Sequence, residues 1–280
     1  MSKLPEKKRV PRAKVRQGGA GADLSEDAGD ESQIIGALAR GLQVLGAFHL
    51  GDSQLGNHEF AQRTGLPKAT VSRITFTLAK GGFLSFDPRQ RMYHLGPKAV
   101  NLGFIARADA DIRGNLRPMM QQFANETGLN VGLGVRDKDS MLYIDTWEGT
   151  ALVGLKVYPG FRIPILTTAM GRAYLAALTP GELQIQLGEL ARQMINGDQS
   201  RAMIDAQGEH FQRYGFAISM GDWVDDIGTI AVPFSRPDRR QIYVISVGGP
   251  IYRMTRSFVY DELGPRLIAF RNSVESSARF

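Results

Sequence analysis

The segment Lys68-Ala69-Thr70-Val71-Ser72-Arg73-Ile74-Thr75 mixes cationic, hydroxyl and small side chains with two apolar ones. If it is helical, Val71 and Ile74 turn inward, and Lys68, Thr70, Ser72, Arg73 and Thr75 face out. The chemistry open to such a face is hydrogen bonding to base edges. A guanidinium bonds guanine through two N–H groups, and short hydroxyl side chains allow close approach. Arg89 and Arg91 form a second cationic point, suited to phosphate or the minor groove. With Arg40 upstream and Ala69 on the same segment, these residues make up the candidate DNA-contacting set. An ordinary three-helix bundle with a solvated basic face is the competing reading.

Elements that would position this set are legible on both sides. Ile34, Ile35, Leu38, Leu42, Leu45 and Phe48 recur at helical steps and predict a first helix. Asn57 can cap a second helix running to Thr64, and Gly65 can end it in the left-handed region. Pro67 suits the first turn of a third helix, which Gly81-Gly82 stops near Lys80. Ala61, Gly65, Leu66, Val71 and Ile74, with Phe60, supply the small, turning and joint-filling residues that two steeply crossed helices need. The stretches 83–86 and 92–95 around Asp87-Pro88-Arg89-Gln90 predict a β-hairpin wing, braced by Phe83, Leu84 and Tyr93. The whole predicts a winged helix-turn-helix over residues 34–96.

The charge distribution agrees. Residues 34–108 carry nine basic and three acidic side chains, whereas residues 109–280 carry 18 and 19. A net charge of +6 concentrated in one short segment is the footprint of a polyanion binder. Residues 1–33 hold seven basic and six acidic groups with few apolar ones and read as a disordered tail. That basic arm either touches phosphates or is simply solvated.

Composition excludes several classes. The chain has 280 residues and no Cys, which removes disulfides, thiolate metal sites and a Cys nucleophile, and fits a cytoplasmic setting. The longest apolar runs, 99–106 and 173–178, fall short of the roughly 20 residues a membrane span needs. The basic N-terminus lacks the apolar stretch of a secretory signal. His49, His58, His94 and His210 show no ligand spacing, so no metal is expected. The glycines at 132–134 and 248–249 lack phosphate-loop spacing, and no cofactor is expected. Asp222, Asp225 and Asp226 read as a solvated loop, and Met119-Met120 as core. Trp147 and Trp223 read by default as packing or interface residues, with a cavity lining as the alternative.

From Pro97 a further helix carrying Val100, Leu102, Phe104 and Ile105 predicts a linker over 97–109, and 110–280 predicts a second domain. Strands are expected near 129–135, 141–147, 152–157, 227–234 and 241–247, the last two around a turn at 237–240. Helices are expected near 112–127, 168–178, 180–191, 200–214 and 257–273. Strand runs with helices interspersed predict an α+β fold of two domains rather than a doubly wound sheet. Thr167-Thr168-Ala169-Met170-Gly171 would open one of those helices, so backbone N–H groups and two hydroxyls gather at a positive end. That arrangement can seat a carboxylate, or can be plain capping.

The chain resembles the IclR family of bacterial regulators. The resemblance rests on Leu38-Ala39-Arg40-Gly41-Leu42-Gln43-Val44-Leu45, the run Arg63–Arg73, and Tyr93-His94-Leu95-Gly96-Pro97. Downstream it rests on Thr168–Ala176, Ile230-Ala231-Val232-Pro233 and Ser246-Val247-Gly248-Gly249-Pro250. It implies a GAF/profilin-like α/β effector-binding domain behind the winged helix, and a homodimer or dimer of dimers. It also implies a partly palindromic double-stranded operator and a small organic effector, often a carboxylic or aromatic acid. The residues matching the effector cavity are Gly154, Leu155, Thr168, Ala169, Met170, Ser219 and Thr229. The chain departs from the family in having Ser219 where an Asp is common and Thr229 where a Cys is common, a hydroxyl pair suited to an anion. An enzyme with an accessory DNA-binding domain and a ligand-free architectural DNA binder are the alternatives. No nucleophile–base pair supports the enzyme, and the architectural protein would bind without sequence preference.

Overall fold

The computed structural model describes residues 34–49, 51–110, 116–150, 157–190, 197–235 and 241–277. The tail 1–33, the turn 237–240 and nearly all of the strand expected at 152–157 lie outside the described residues. The chain divides into two compact units, Met1–Leu102 and Gly103–Phe280.

In the first unit, α1 (Gly36–Leu45), α2 (Asn57–Thr64) and α3 (Lys68–Lys80) precede the hairpin β1 (Leu84–Asp87) and β2 (Met92–Leu95). Its core gathers Val44, Ala47, Leu55, Phe60, Val71, Leu84 and Tyr93. Phe60 is fully buried and meets Phe48 and Tyr93 edge to face. The helix-two cap differs from expectation. Gly56 is the N-cap, and the Glu59 carboxylate accepts its N–H at 3.1 Å. The Asn57 side chain is used elsewhere. Gly65 ends α2 at φ +70°, where a side chain would be strained.

Arg63 ties the α1–α2 connection. Its Nη1 donates to the Ala47 carbonyl at 2.8 Å and to the Asp52 carboxylate, and Nη2 donates to Asp52 Oδ1 at 3.1 Å. The guanidinium holds the Asp52 carboxyl below the usual carboxylate range. An isolated bridge joins Leu55 to Tyr93, adding a third short edge to the hairpin. The apolar stripe of α1 is present, but Ile34, Ile35, Leu38 and Leu42 are exposed, because the core takes up only Val44 and its C-terminal neighbours. Helix α4 (Pro97–Ala110) crosses the boundary between the units.

The second unit is built on a six-stranded antiparallel sheet in the order β5-β4-β3-β8-β7-β6. Its strands are β3 (Asn130–Asp137), β4 (Ser140–Trp147), β5 (Arg162–Pro164), β6 (Ala217–Met220), β7 (Ile227–Ser235) and β8 (Ile242–Pro250). The edge strands β5 and β6 were not expected from sequence. Helices α5 (Leu116–Thr127) and α9 (Gly264–Ser277), the latter entered through a π-helical turn Phe258–Leu263, belong to the core on one face. Helices α6 (Ala169–Ala176), α7 (Pro180–Leu190) and α8 (Gly197–Tyr214) belong to the other. Strand alternation separates the two cores: Tyr243, Ile245 and Val247 serve the first, and Val244 serves the second. This is the expected α+β architecture, with antiparallel pairing throughout the named strands.

Helix α6 sits close to the loop before it because Gly171 has no side chain. A Cβ there would stand 2.0 Å from the Ile165 carbonyl oxygen, while one at Gly181 would meet nothing within 4 Å. Gly171→Ala is therefore expected to lower the unfolding free energy by about 1–3 kcal/mol. Gly181→Ala is expected to change it by less than about 0.5 kcal/mol, both read by denaturant titration.

Candidate DNA interface and effector cavity

Helix α3 has one face set by burial. Val71 and Thr75 are fully buried, and Ile74 and Leu78 are partly so. These positions make one stripe at 3.6 residues per turn. The stripe fixes the rotation of the helix, so Lys68, Ala69, Ser72 and Arg73 are exposed and Thr70 is half-buried. The expectation that Thr75 projects outward is corrected. It stands one turn from Val71, and its hydroxyl donates to Asn57 Oδ1 at 3.0 Å, joining α3 to the start of α2. Asn57, expected as a cap, is that hydroxyl's acceptor.

Arg89 and Arg91 are exposed at the hairpin tip, and Arg40 is exposed on α1. Asp87 Oδ1 accepts the Arg89 N–H at 2.8 Å, which shapes the turn, and Arg91 takes φ +57°. The tip is held from outside the wing by Gln54, whose Nε2 donates to Gln90 Oε1 at 2.7 Å. Phe76, on the outward side of α3, was not singled out from sequence. It is 61% exposed.

The second unit holds a cavity with an empty volume of about 680 Å³ measured out to its mouth. Its floor is three adjacent strands. The register sets Gly132 opposite Ser246 on β3 and β8, and Thr229 opposite Gly248 on β7 and β8. Period two places these four on one face. Small residues here make room for larger ones. A Cβ on Gly132 would come within 2.2 Å of the Tyr143 ring, and one on Gly134 within 2.3 Å of Met170 Sδ. Asn130, Thr146, Trp147, Glu148 and Trp223 complete much of the wall. Burial pushes the Tyr143 phenol pKa up, and its hydrogen bond with Ser246 offsets part of that rise.

The expected effector residues divide on inspection. Thr168, Met170 and Thr229 line the cavity. Ala169 is buried in the core against the helical face of the sheet and is not part of the wall. Ser219 stands opposite Thr229 in the β6–β7 register, yet its hydroxyl donates to the Thr167 carbonyl at 2.8 Å. The expected hydroxyl pair is thereby reduced to Thr229. Gly154 and Leu155 lie outside the described residues. Thr168 performs capping, donating to the Pro164 carbonyl at 2.6 Å and accepting the Gly171 N–H at 3.2 Å. Trp147 and Trp223 take the cavity role left open above. Asn130, Gly132, Tyr143, Thr146, Ser246 and Gly248 were missed. The signal for some of them was the i, i+2 spacing of Gly132 with Gly134 and of Ser246 with Gly248.

The acidic loop also has an unforeseen partner. Arg172, 5% exposed, donates from Nη1 to Asp222 Oδ2 at 2.7 Å and to the Ile218 carbonyl at 2.6 Å. Its Nε donates to the Leu166 carbonyl at 3.0 Å, so one guanidinium joins α6, β6 and the loop after β5.

Comparison with known proteins gives the same division of the chain. Residues 37–88 match the IclR helix-turn-helix domain, and residues 106–275 match the bacterial transcriptional regulator IclR C-terminal domain. The HTH-type transcriptional regulator TsaQ1/TsaQ2 of Comamonas testosteroni is 31% identical over 251 residues, 88% of this chain and 89% of its own. The Pca regulon regulatory protein of Pseudomonas putida is 28% identical over 247 residues, 85% of this chain and 82% of its own. Among solved structures, an IclR family transcriptional regulator from Brucella abortus superposes with a TM-score of 0.74 at 34% identity, covering 88% of this chain and 94% of its own. An IclR homologue from Microbacterium hydrocarbonoxydans, solved with 4-hydroxybenzoate, shares the fold at a TM-score of 0.72 and 19% identity, over 87% of this chain and 99% of its own. The chain belongs to the IclR family of bacterial transcriptional regulators, with an N-terminal helix-turn-helix DNA-binding domain and a C-terminal effector-binding domain.

Proposed function

We propose that this regulator binds a partly palindromic operator as a homodimer, or as a dimer of dimers, and that a small aromatic or carboxylic acid in the β3-β8-β7 cavity tunes that binding. Residues 34–96 read DNA and pair two copies through α1, 97–109 link, and 110–280 bind the effector and add further contacts to the oligomer. The observation that carries the reading is the coexistence of a cation-bearing outward face on α3 and a mixed polar–aromatic cavity in the other unit.

In this reading α3 enters the major groove, with Arg73 and Thr70 at base edges and Lys68, Ala69 and Ser72 beside them. Arg89, Arg91 and Arg40 hold phosphates. Two copies put two such helices about 34 Å apart, one helical turn of duplex, so the operator carries matching half-sites. Support for a second copy comes from α1, where Ile35, Leu38 and Leu42 are more than half exposed and Arg40 is the one charged residue. The cavity has the mixed apolar and polar lining of a small-molecule site. Met170, Trp147 and Trp223 suit a ring, and Thr168, Thr229, Ser246 and Asn130 suit polar substituents. The 4-hydroxybenzoate bound by the Microbacterium homologue is a compound of that class. The cavity binds and does not turn over its ligand, and the protein works in the cytoplasm, where the chromosome is. Effector control is limited by the difference in affinity between two subunit arrangements, typically about 1–3 kcal/mol.

Four results are expected. Arg73→Ala is expected to weaken operator binding about ten-fold or more in fluorescence anisotropy. Thr75→Val should cost about 1 kcal/mol of stability and leave sequence preference unaltered. Wild-type affinity in Arg73→Ala would remove α3 from the interface. In calorimetry, 4-hydroxybenzoate or another member of a carboxylate and aromatic acid panel is expected to bind, with Ser246→Ala about five-fold weaker. A panel without binders, or Ser246→Ala and Thr229→Val both at wild-type affinity, would remove the acid from the proposal. The Leu38→Asp, Leu42→Asp double variant is expected to dissociate in sedimentation, and an unchanged mass would place the contact elsewhere.

A further inference from the structure

We propose that Phe76 is a base-reading residue whose ring takes the C5-methyl group of a thymine in the major groove, within about one or two base pairs of the position contacted by Arg73. The inference rests on α3 being the recognition helix.

Four observations lead there. First, Phe76 is 61% exposed, although the core of this unit buries two other large aromatic rings, Phe60 and Tyr93. At about 100° per residue it lies some 140° around α3 from the fully buried Val71. It is thus on the same outward arc as Ala69, Arg73 and Lys80. Second, the Lys80 ammonium stands 5.6 Å from the Phe76 ring centroid, and Arg73 lies one turn before it. Third, α3 reads KATVSRITFTLAK, with three cations and no carboxylate. An apolar protein face docking on this ring would have to strip water from two unpaired cations. A duplex neutralises them with phosphates and offers the ring something apolar between. Fourth, the thymine methyl is the one apolar group that base pairs present in the major groove.

The spacing fits. Three residues advance about 4.5 Å along a helix, against about 3.4 Å per base pair, so Phe76 and Arg73 address neighbouring steps when α3 lies along the groove. Arg73 selects guanine by hydrogen bonding, and Phe76 adds selection for thymine beside it by excluding water from the methyl.

The test starts from an operator selected by the full-length protein from a randomised duplex pool. Each thymine is then replaced singly by deoxyuridine, which removes only the methyl, and affinity is measured at one fixed salt concentration. The expected result is a loss of about four-fold at one thymine per half-site, the equivalent of one buried methyl. In Phe76→Ala the thymine and deoxyuridine duplexes should bind equally, and in Arg73→Ala the methyl effect should persist on a weaker background. The proposal is overturned if wild type binds every deoxyuridine duplex as well as the parent, or if Phe76→Ala keeps the methyl effect. It is also overturned if Phe76→Ala changes the oligomeric mass in sedimentation, since the ring would then be packed on a second copy. Failure of the recognition-helix reading is separate and shows as undiminished binding by Arg73→Ala. The base substitution is made in the DNA, so the wild-type arm stands whatever Phe76→Ala does to folding.

Discussion

The buried stripe of α3 sets which side chains that helix turns outward. Val71 and Thr75 are fully enclosed, and with Ile74 and Leu78 they leave the helix one rotational setting. A turn of one residue would bury Ser72 and expose Val71, which both packing and solvation oppose. Because rotation is fixed, the outward arc is fixed too, and with it the identity of the side chains offered to a groove. The Thr75–Asn57 hydrogen bond adds to this. It fastens α3 to the first residue of α2 while keeping a buried hydroxyl satisfied. Gly65, at φ +70°, lets the two helices meet at the angle that stripe requires.

The effector domain solves a different problem, opening a cavity in an antiparallel sheet without breaking its ladder. Removing side chains does this more cheaply than removing hydrogen bonds. Gly132 and Gly134 on β3 and Gly248 on β8 keep their backbone pairing with partners across the sheet. Their missing Cβ atoms are replaced by the Tyr143 ring, Met170 and the Thr229 methyl, each within 2.3 Å of where a Cβ would be. These groups stand on the same face as the void and line it, beside the polar side chains of Ser246 and Thr229. Arg172 secures the roof helix by binding two backbone carbonyls and Asp222 from one buried guanidinium.

Local signals were legible in sequence wherever a single residue type has one physical use. The Gly65 turn, the Gly81-Gly82 stop, the hairpin turn and the two-domain α+β division all follow from such residues. The misreadings share a cause, which is that a short polar side chain carries no label for its partner. Thr75 looked like an outward hydroxyl because its acceptor, Asn57, is 18 residues away, and Asn57 looked like a cap for the same reason. Ser219 looked like a cavity residue, but the carbonyl that holds it is 52 residues distant. Strands β5 and β6, three and four residues long, are too short for alternation to register against their neighbours. Ser246 was visible only as part of a family signature, since its place on the cavity floor depends on pairing across three strands.

Exposed apolar surface on this chain does not have one meaning, and the neighbouring charges separate the cases. Leu38 and Leu42 on α1 have a single charged residue, Arg40, within their helix, so another apolar stripe can cover them at little desolvation cost. Phe76 has the same degree of exposure but lies between Arg73 and Lys80 on a helix without carboxylates. Covering it with protein would leave those cations buried and unpaired, at a cost well above what one ring contributes. A polyanion removes that cost and turns the cations into attraction. The same hydrophobic effect thus acts differently on the two helices: the stripe of α1 can be covered by apolar protein, whereas the ring of α3 can be covered without penalty only by a polyanion.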